Sequence, residues 1–192
     1  MGWKMNSFLD IIDFDSFKVL SVFCISQGSK FQRNVLKDKT GIPNLILDRT
    51  LARLINLKIL IKEKYLLSVN FSNFQALEII KLLFERYSRF KQISLNEYFI
   101  ISYFERDISF IKGIGEVYLF GSYAKLTFSE KSDIDIAIVA GDFNKKIFQN
   151  LIKKLEEKYG KKFEIHYFSK EFYNNRKDPL VKEILTHGIK LL

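Results

Sequence analysis

Two aspartates stand two residues apart in the run Ser132-Asp133-Ile134-Asp135-Ile136-Ala137-Ile138-Val139. Strict alternation with isoleucines predicts a strand over Ser132–Val139, with Asp133 and Asp135 on one face and Ile134, Ile136 and Ile138 on the other. Two carboxylates so close repel each other, and the rest of the strand is apolar. Their burial makes sense only if a cation neutralises them. Ligands that are all oxygen favour a hard ion, and Mg²⁺ keeps its waters and recruits substrate phosphates. A second chemical element lies upstream. Val117-Tyr118-Leu119-Phe120 reads as a short apolar strand and runs directly into Gly121-Ser122. Gly121 permits close backbone approach, while the Ser122 hydroxyl and nearby amides suit phosphate oxygens.

The elements that must position these groups are legible on either side. A helix over Leu95 to about Lys112 carries Phe99, Tyr103, Ile108 and Ile111, and Gly113 and Gly115 end it. An amphipathic helix over Lys145–Tyr159 ends at Gly160 and is followed by Lys162-Phe163-Glu164-Ile165-His166-Tyr167-Phe168. On that last strand Glu164 and His166 share a face, opposite Phe163, Ile165 and Tyr167. His166 reads as a structural or surface residue. Pro179 to Leu192 reads as a closing helix and a short final strand, with His187 near the helix C-terminus, where the dipole suits it.

The stretch LFGSYAKLTFSEKSDIDIAIV closely resembles the nucleotidyltransferase superfamily related to DNA polymerase beta, in particular its minimal members. The shared pattern is a strand, Gly-Ser, a spacer of about ten residues, and Asp-x-Asp on the next strand; the resemblance covers residues 95–192. It implies a mixed sheet flanked by helices. It also implies transfer of a nucleoside monophosphate, AMP from ATP, to an acceptor hydroxyl with release of pyrophosphate. Asp133, Asp135 and a third acid would then be catalytic and would hold two Mg²⁺ ions, and Glu164, the only carboxylate on its strand, falls where the family places that acid. Gly121, Ser122 and Lys125 would contact the triphosphate. The chain departs from the family where Ala-Arg-Gly is usual, having Ala124-Lys125-Leu126 instead. Lys125 keeps the charge but loses the planar fork of arginine, and Leu126 removes a flexible glycine.

The first half has a different pattern. Asp15 and Ser16 are N-cap types ahead of a helix marked by Phe17, Leu20 and Cys24. A shorter helix spans about Phe31–Lys39, then the Thr40-Gly41-Ile42-Pro43 turn, then a helix over Asn44–Leu57 with Leu47, Leu51, Leu54 and Ile55 on one face. Ile59-Leu60-Ile61, the charged Lys62-Glu63-Lys64 turn and Tyr65-Leu66-Leu67-Ser68-Val69 read as a hairpin. Three helices and a hairpin resemble a winged helix-turn-helix. That resemblance would put Asn44, Arg49 and Arg53 on a nucleic-acid-binding helix and Lys62 and Lys64 on the wing, with Asp48 unfavourable among them. A solvated surface, or a protein-binding use of the same module, fits the pattern too. Phe74–Lys91 reads as a connector helix or a dimer helix, with Ser72 and Gln75 placed for a capping box.

The expected architecture is therefore α+β. A winged-helix domain over residues 1–71 and a connector over 72–94 precede a nucleotidyltransferase domain over 95–192. Length and composition agree with two small packed domains: 192 residues, 47% hydrophobic, 28% charged, two prolines. The single cysteine, Cys24, excludes an intrachain disulfide framework and a cysteine-built zinc site. The net charge of +9 is uneven, because residues 1–92 hold 15 Lys and Arg against 8 Asp and Glu. Such a half fits a polyanion or simply solubility. No apolar run approaches a membrane span, and acids interrupt the first apolar stretch, so neither an anchor nor a signal peptide is expected and a cytoplasmic location is. The expected partners are a nucleoside triphosphate, DNA or RNA at the first half, and a protein acceptor, as for an antitoxin that modifies its toxin. The alternative is a nucleic-acid-binding regulator or antitoxin whose second half binds nucleotide without turnover.

Overall fold

Residues 12–90 and 93–192 are described by the computed structural model, in two compact units, Met1–Phe99 and Ile100–Leu192. The signal-peptide reading of the chain start and the expected helix end at Lys91 lie outside the described residues.

In the first unit, α1 (Phe14–Ile25) is capped by Asp13, whose carboxylate accepts the Ser16 amide at 3.0 Å. The cap lies two residues ahead of Asp15, which stands instead in the first turn, where its charge suits the dipole. β1 (Phe31–Gln32) takes the start of the expected second helix, because Phe31 and Gln32 pair antiparallel with Leu67 and Leu66. α2 (Arg33–Thr40) follows and stops at Gly41, whose φ of +64° is left-handed. α3 (Asn44–Asn56) buries Leu47, Thr50, Leu51 and Leu54. β2 (Leu60–Glu63) and β3 (Leu66–Val69) form the hairpin, giving a sheet of order β1-β3-β2. α4 (Phe74–Ser88) is capped by Asn73, which accepts the Gln75 amide at 2.9 Å. Asn73, and not Ser72, thus supplies the cap oxygen. α4 packs on α1, where the Cys24 thiol donates to the Ile80 carbonyl at 3.9 Å. Phe17 meets Tyr98 at 5.6 Å and Phe99 at 6.2 Å between ring centres, and Tyr98 meets Tyr87 and Phe90 edge-on.

α5 (Leu95–Ile108) spans the division between the units. The second unit contains β4 (Ile114–Leu119), the short α6 (Gly121–Lys125), β5 (Ile134–Ala140), α7 (Lys145–Tyr159) and β6 (Phe163–Phe168). A 3₁₀ turn (Lys170–Asn174), α8 (Pro179–His187) and β7 (Ile189–Lys190) complete it. The sheet order is β6-β5-β4-β7, with β5 and β6 parallel and the other pairs antiparallel. This is the mixed sheet with helices of an α+β fold. Ile134, Ile136 and Ile138 are fully buried on one face, where Phe104 of α5 meets Phe163 and Phe148 of α7 meets Tyr167. On the other face Tyr118, Phe120, Ala137 and Val139 pack against Phe172, Val181 and Ile184. Burying such side chains, at about 1.5–3 kcal/mol each, is what holds the strand order in place.

One strand is shorter than its alternation predicts. β5 begins at Ile134 rather than Ser132. The Ser132 hydroxyl accepts the Ser129 amide at 2.8 Å and its own amide donates to the Ser129 carbonyl at 3.0 Å. This turn captures Ser132 and leaves Asp133 as the last loop residue, exposed.

Candidate active site

The site grows from the end of β4. Phe120 donates its amide to the Asp135 carbonyl at 3.0 Å, which brings the following turn over β5. Gly121 there has φ +65°, and a Cβ built on it would overlap the Asp135 carboxylate, with Cγ at 2.8 Å. Only glycine allows both the left-handed backbone and this approach. The Ser122 backbone amide lies near enough to the Asp135 carboxylate to favour its anion.

The parallel pairing of β5 with β6 places Asp135 opposite Glu164 and Ala137 opposite His166. Asp135, Glu164 and His166 thus share the face that also carries Phe120. His166 Nε2 donates to Glu164 Oε1 at 3.1 Å, and its ring meets Phe120 edge-on at 5.3 Å. Burial pushes the Asp135 carboxyl above its ordinary value, and the neighbouring Glu164 charge pushes the same way. His166 and the Ser122 amide pull it back, and Asp133 adds a smaller rise. Among the described residues, no set of three or more His, Cys, Asp and Glu side chains converges closely enough to hold a metal ion. The donor chemistry still fits a hard cation. Two adjacent carboxylates, one of them disfavoured as an anion by burial, suit an ion that draws its remaining ligands from water and phosphate.

Lys125 is turned toward α8, with Nζ 2.6 Å from Glu183 Oε1. The next residue, Leu126, adopts φ +60°, the left-handed conformation that glycine would take without strain. Lys125 and Glu183 also line a cavity of about 320 Å³ with Pro179, Lys182, Thr186 and His187.

In the first unit the sequence-selected residues are divided by their partners. Arg33 clasps Asp48 at 2.5 and 2.9 Å and reaches the Asn44 side chain at 3.2 Å. Arg53 is bound to Asp13 and to the Ser16 hydroxyl, the latter at 2.7 Å. Arg49, Lys62 and Lys64 are exposed. Asn44 and Arg53 are thus held by intramolecular contacts, while Asp48, unfavourable for phosphate, is neutralised by Arg33. Sequence reasoning did not identify Arg33, Asp13 or Glu183 as partners, nor the bond from His166 to Glu164. For His166 the signal was present, in its shared face with Glu164. The other pairings join elements far apart in the chain and leave no local pattern.

Residues 101–191 match the family described as "Nucleotidyltransferase domain". A similar protein from Methanocaldococcus jannaschii, described as "Putative protein adenylyltransferase", is 29% identical over 94 residues, spanning 48% of this chain and 95% of that protein. Two solved chains are also similar. One, from a crystal structure of a mutant of the toxin-antitoxin MntA-HpeT, is 26% identical with a TM-score of 0.35, over 48% of this chain and 69% of the other. The second, from a crystal structure of the toxin-antitoxin with AMP-PNP, is 28% identical with a TM-score of 0.35, over 48% of this chain and 70% of the other.

Proposed function

We propose that the second half transfers a nucleoside monophosphate, AMP from ATP, to a hydroxyl group on a protein. The observation that carries this reading is the Asp135–Glu164 pair, set side by side under the Gly121-Ser122 turn. The likeness to a protein described as an adenylyltransferase supports the adenylyl group and the protein acceptor. Asp135 and Glu164, with Asp133 at the loop edge, would hold Mg²⁺, which when bound supplies Lewis-acid stabilisation of charge on the phosphate oxygens.

The chain's own groups have distinct tasks. The Ser122 hydroxyl donates to the β- and γ-phosphates. Gly121 keeps the backbone low enough for those phosphates to approach Asp135. Lys125, three residues after Ser122 in α6 and paired with Glu183, would supply a further cation. Its pairing with Glu183 is partly exposed and worth about 0–1 kcal/mol, so an arriving triphosphate can compete for it. Glu164, oriented by His166, accepts the proton of the acceptor hydroxyl. The acceptor oxygen bonds to the α-phosphorus as the bond to the bridging oxygen breaks, and pyrophosphate leaves with the electron pair. Most of the rate then comes from position and charge rather than from covalent catalysis by the protein.

The test is incubation of the full chain with labelled ATP, CTP, GTP or UTP, Mg²⁺ and a cell lysate. Labelling of a protein from ATP, lost in the Asp135→Asn variant, is the expected result. Release of pyrophosphate without a labelled macromolecule would overturn the protein acceptor, and no label from any nucleotide would overturn the transfer.

A second activity is proposed for the first half. The order α1-β1-α2-α3-β2-β3, with exposed Arg49 on α3 and Lys62 and Lys64 on the hairpin, supports a winged-helix reading with nucleic acid as the partner.

A further inference from the structure

We propose that α4 is a self-association surface, along which two copies of this chain pair antiparallel. The helix has two separate apolar faces. Ala76, Ile80 and Leu83 are buried in the first unit. A second stripe, about a third of a turn away, carries Phe74, Leu77, Lys81 and Phe84 at alternating spacings of three, four and three. Phe74 is 73% exposed, Leu77 41% and Phe84 46%. Spacing of this kind is that of a coiled-coil seam, and nothing in a solvated helix calls for large apolar residues along it.

The occupant follows from the order of residues in the stripe. Read in the reverse direction, it is Phe84, Lys81, Leu77, Phe74. An antiparallel second copy therefore sets Phe74 against the partner copy's Phe84, and Leu77 against the aliphatic stem of its Lys81. Both contacts occur twice, as a two-fold axis requires. A parallel pair would instead stack the two Lys81 ammonium groups in one layer. In the antiparallel pair each Lys81 ammonium meets Glu78 of the other copy, so the seam is complementary in charge as well as in shape.

The area sets the class of interface. The exposed parts of three apolar side chains from each copy amount to roughly 600 Å² in total, well under the ~1,200 Å² at which standard stable interfaces begin. The pair is therefore a weak, reversible dimer rather than an obligate one. Such a dimer would bring two first units together and would double their cationic surface at high local concentration.

Sedimentation velocity on the full chain from ~1 to ~200 μM tests this, with circular dichroism to verify folding. The expected result is a concentration-dependent monomer–dimer equilibrium, weakened at least ~10-fold in Phe84→Glu and in Leu77→Glu, whose side chains lie outside the buried core. Lys81→Glu alone and Glu78→Lys alone should each weaken it, and the two together should restore it. A monomer throughout the range, or a dimer unaffected by Phe84→Glu and Leu77→Glu, overturns the surface. A dimer that the hydrophobic variants break but the double charge exchange does not restore overturns the antiparallel pairing.

Discussion

At the scale of single residues, the half-buried Asp135 carboxylate carries an electrostatic penalty that a bound cation or a proton would relieve. Its value in the folded chain is raised, first by burial and then by Glu164. The folded state thus holds that proton more tightly than the unfolded chain, and the stabilisation it brings is fully present below the ordinary value of 3.8. It is lost as pH rises through the raised folded value. Asp135→Asn should therefore raise Tm at pH 7 in the presence of a chelator, and that advantage should shrink as pH falls and vanish below about pH 3.8. Melting curves of both proteins across that range check the sign; an advantage that grew toward low pH would contradict it. Glu164 is more exposed and makes a different prediction. If it takes the acceptor proton, Glu164→Gln should lower single-turnover transfer by ~10²-fold or more while nucleotide affinity stays nearly unchanged. Weak nucleotide binding with normal transfer at saturation would instead make Glu164 a binding residue.

At the scale of elements, the turn after α6 stores strain. Leu126 holds φ +60° with a partly exposed side chain, so little packing is lost on its removal. Leu126→Gly should stabilise the chain by up to ~1 kcal/mol, the relief of the left-handed penalty less glycine's larger unfolded-state entropy, and Leu126→Ala should give no such gain. Urea denaturation of the three proteins decides it. The α1–α4 contact offers a second probe. Cys24 is buried against Ile80, and burial pushes its thiol up to about 12. Native protein at pH 8 should therefore react with a thiol reagent only as fast as this contact opens, orders of magnitude slower than unfolded chain. Rapid labelling of folded protein would show that α1 and α4 separate easily.

At the scale of the whole molecule, the charge of +9 is concentrated in the first half. If that half binds duplex DNA, log affinity of the full chain should fall linearly with log salt. Arg49→Ala, Lys62→Ala and Lys64→Ala should each reduce the slope by up to ~0.9. Arg53→Ala should mainly cost stability, because Arg53 is tied to Asp13 and Ser16. Fluorescence anisotropy across a salt series separates these outcomes, and absence of binding at low ionic strength would assign the surface to proteins.

Local pattern by itself determined a good part of this protein. Period two marked β5 and β6 as strands, because alternation is a property of the extended backbone alone, and a short apolar run before Gly121 marked β4. Helical spacing marked α1, α3, α4 and α7, and the pairing of Gly121-Ser122 with Asp135 pointed to the turn that the structure brings against that carboxylate. The boundaries were less legible: Ser132 was lost to a turn held by its own side chain, and Phe31 to pairing with a strand more than thirty residues away. Tertiary structure alone decided which groups meet. Whether Glu164 stood beside Asp135 depended on β6 joining β5 in parallel and in one register, and a slip of one residue would have turned it to the opposite face. The pairings of Arg33 with Asp48, Arg53 with Asp13 and Lys125 with Glu183 join elements 15 to 58 residues apart. Contacts of that span are set by how buried faces stack the elements, and so they leave no periodic trace in the chain.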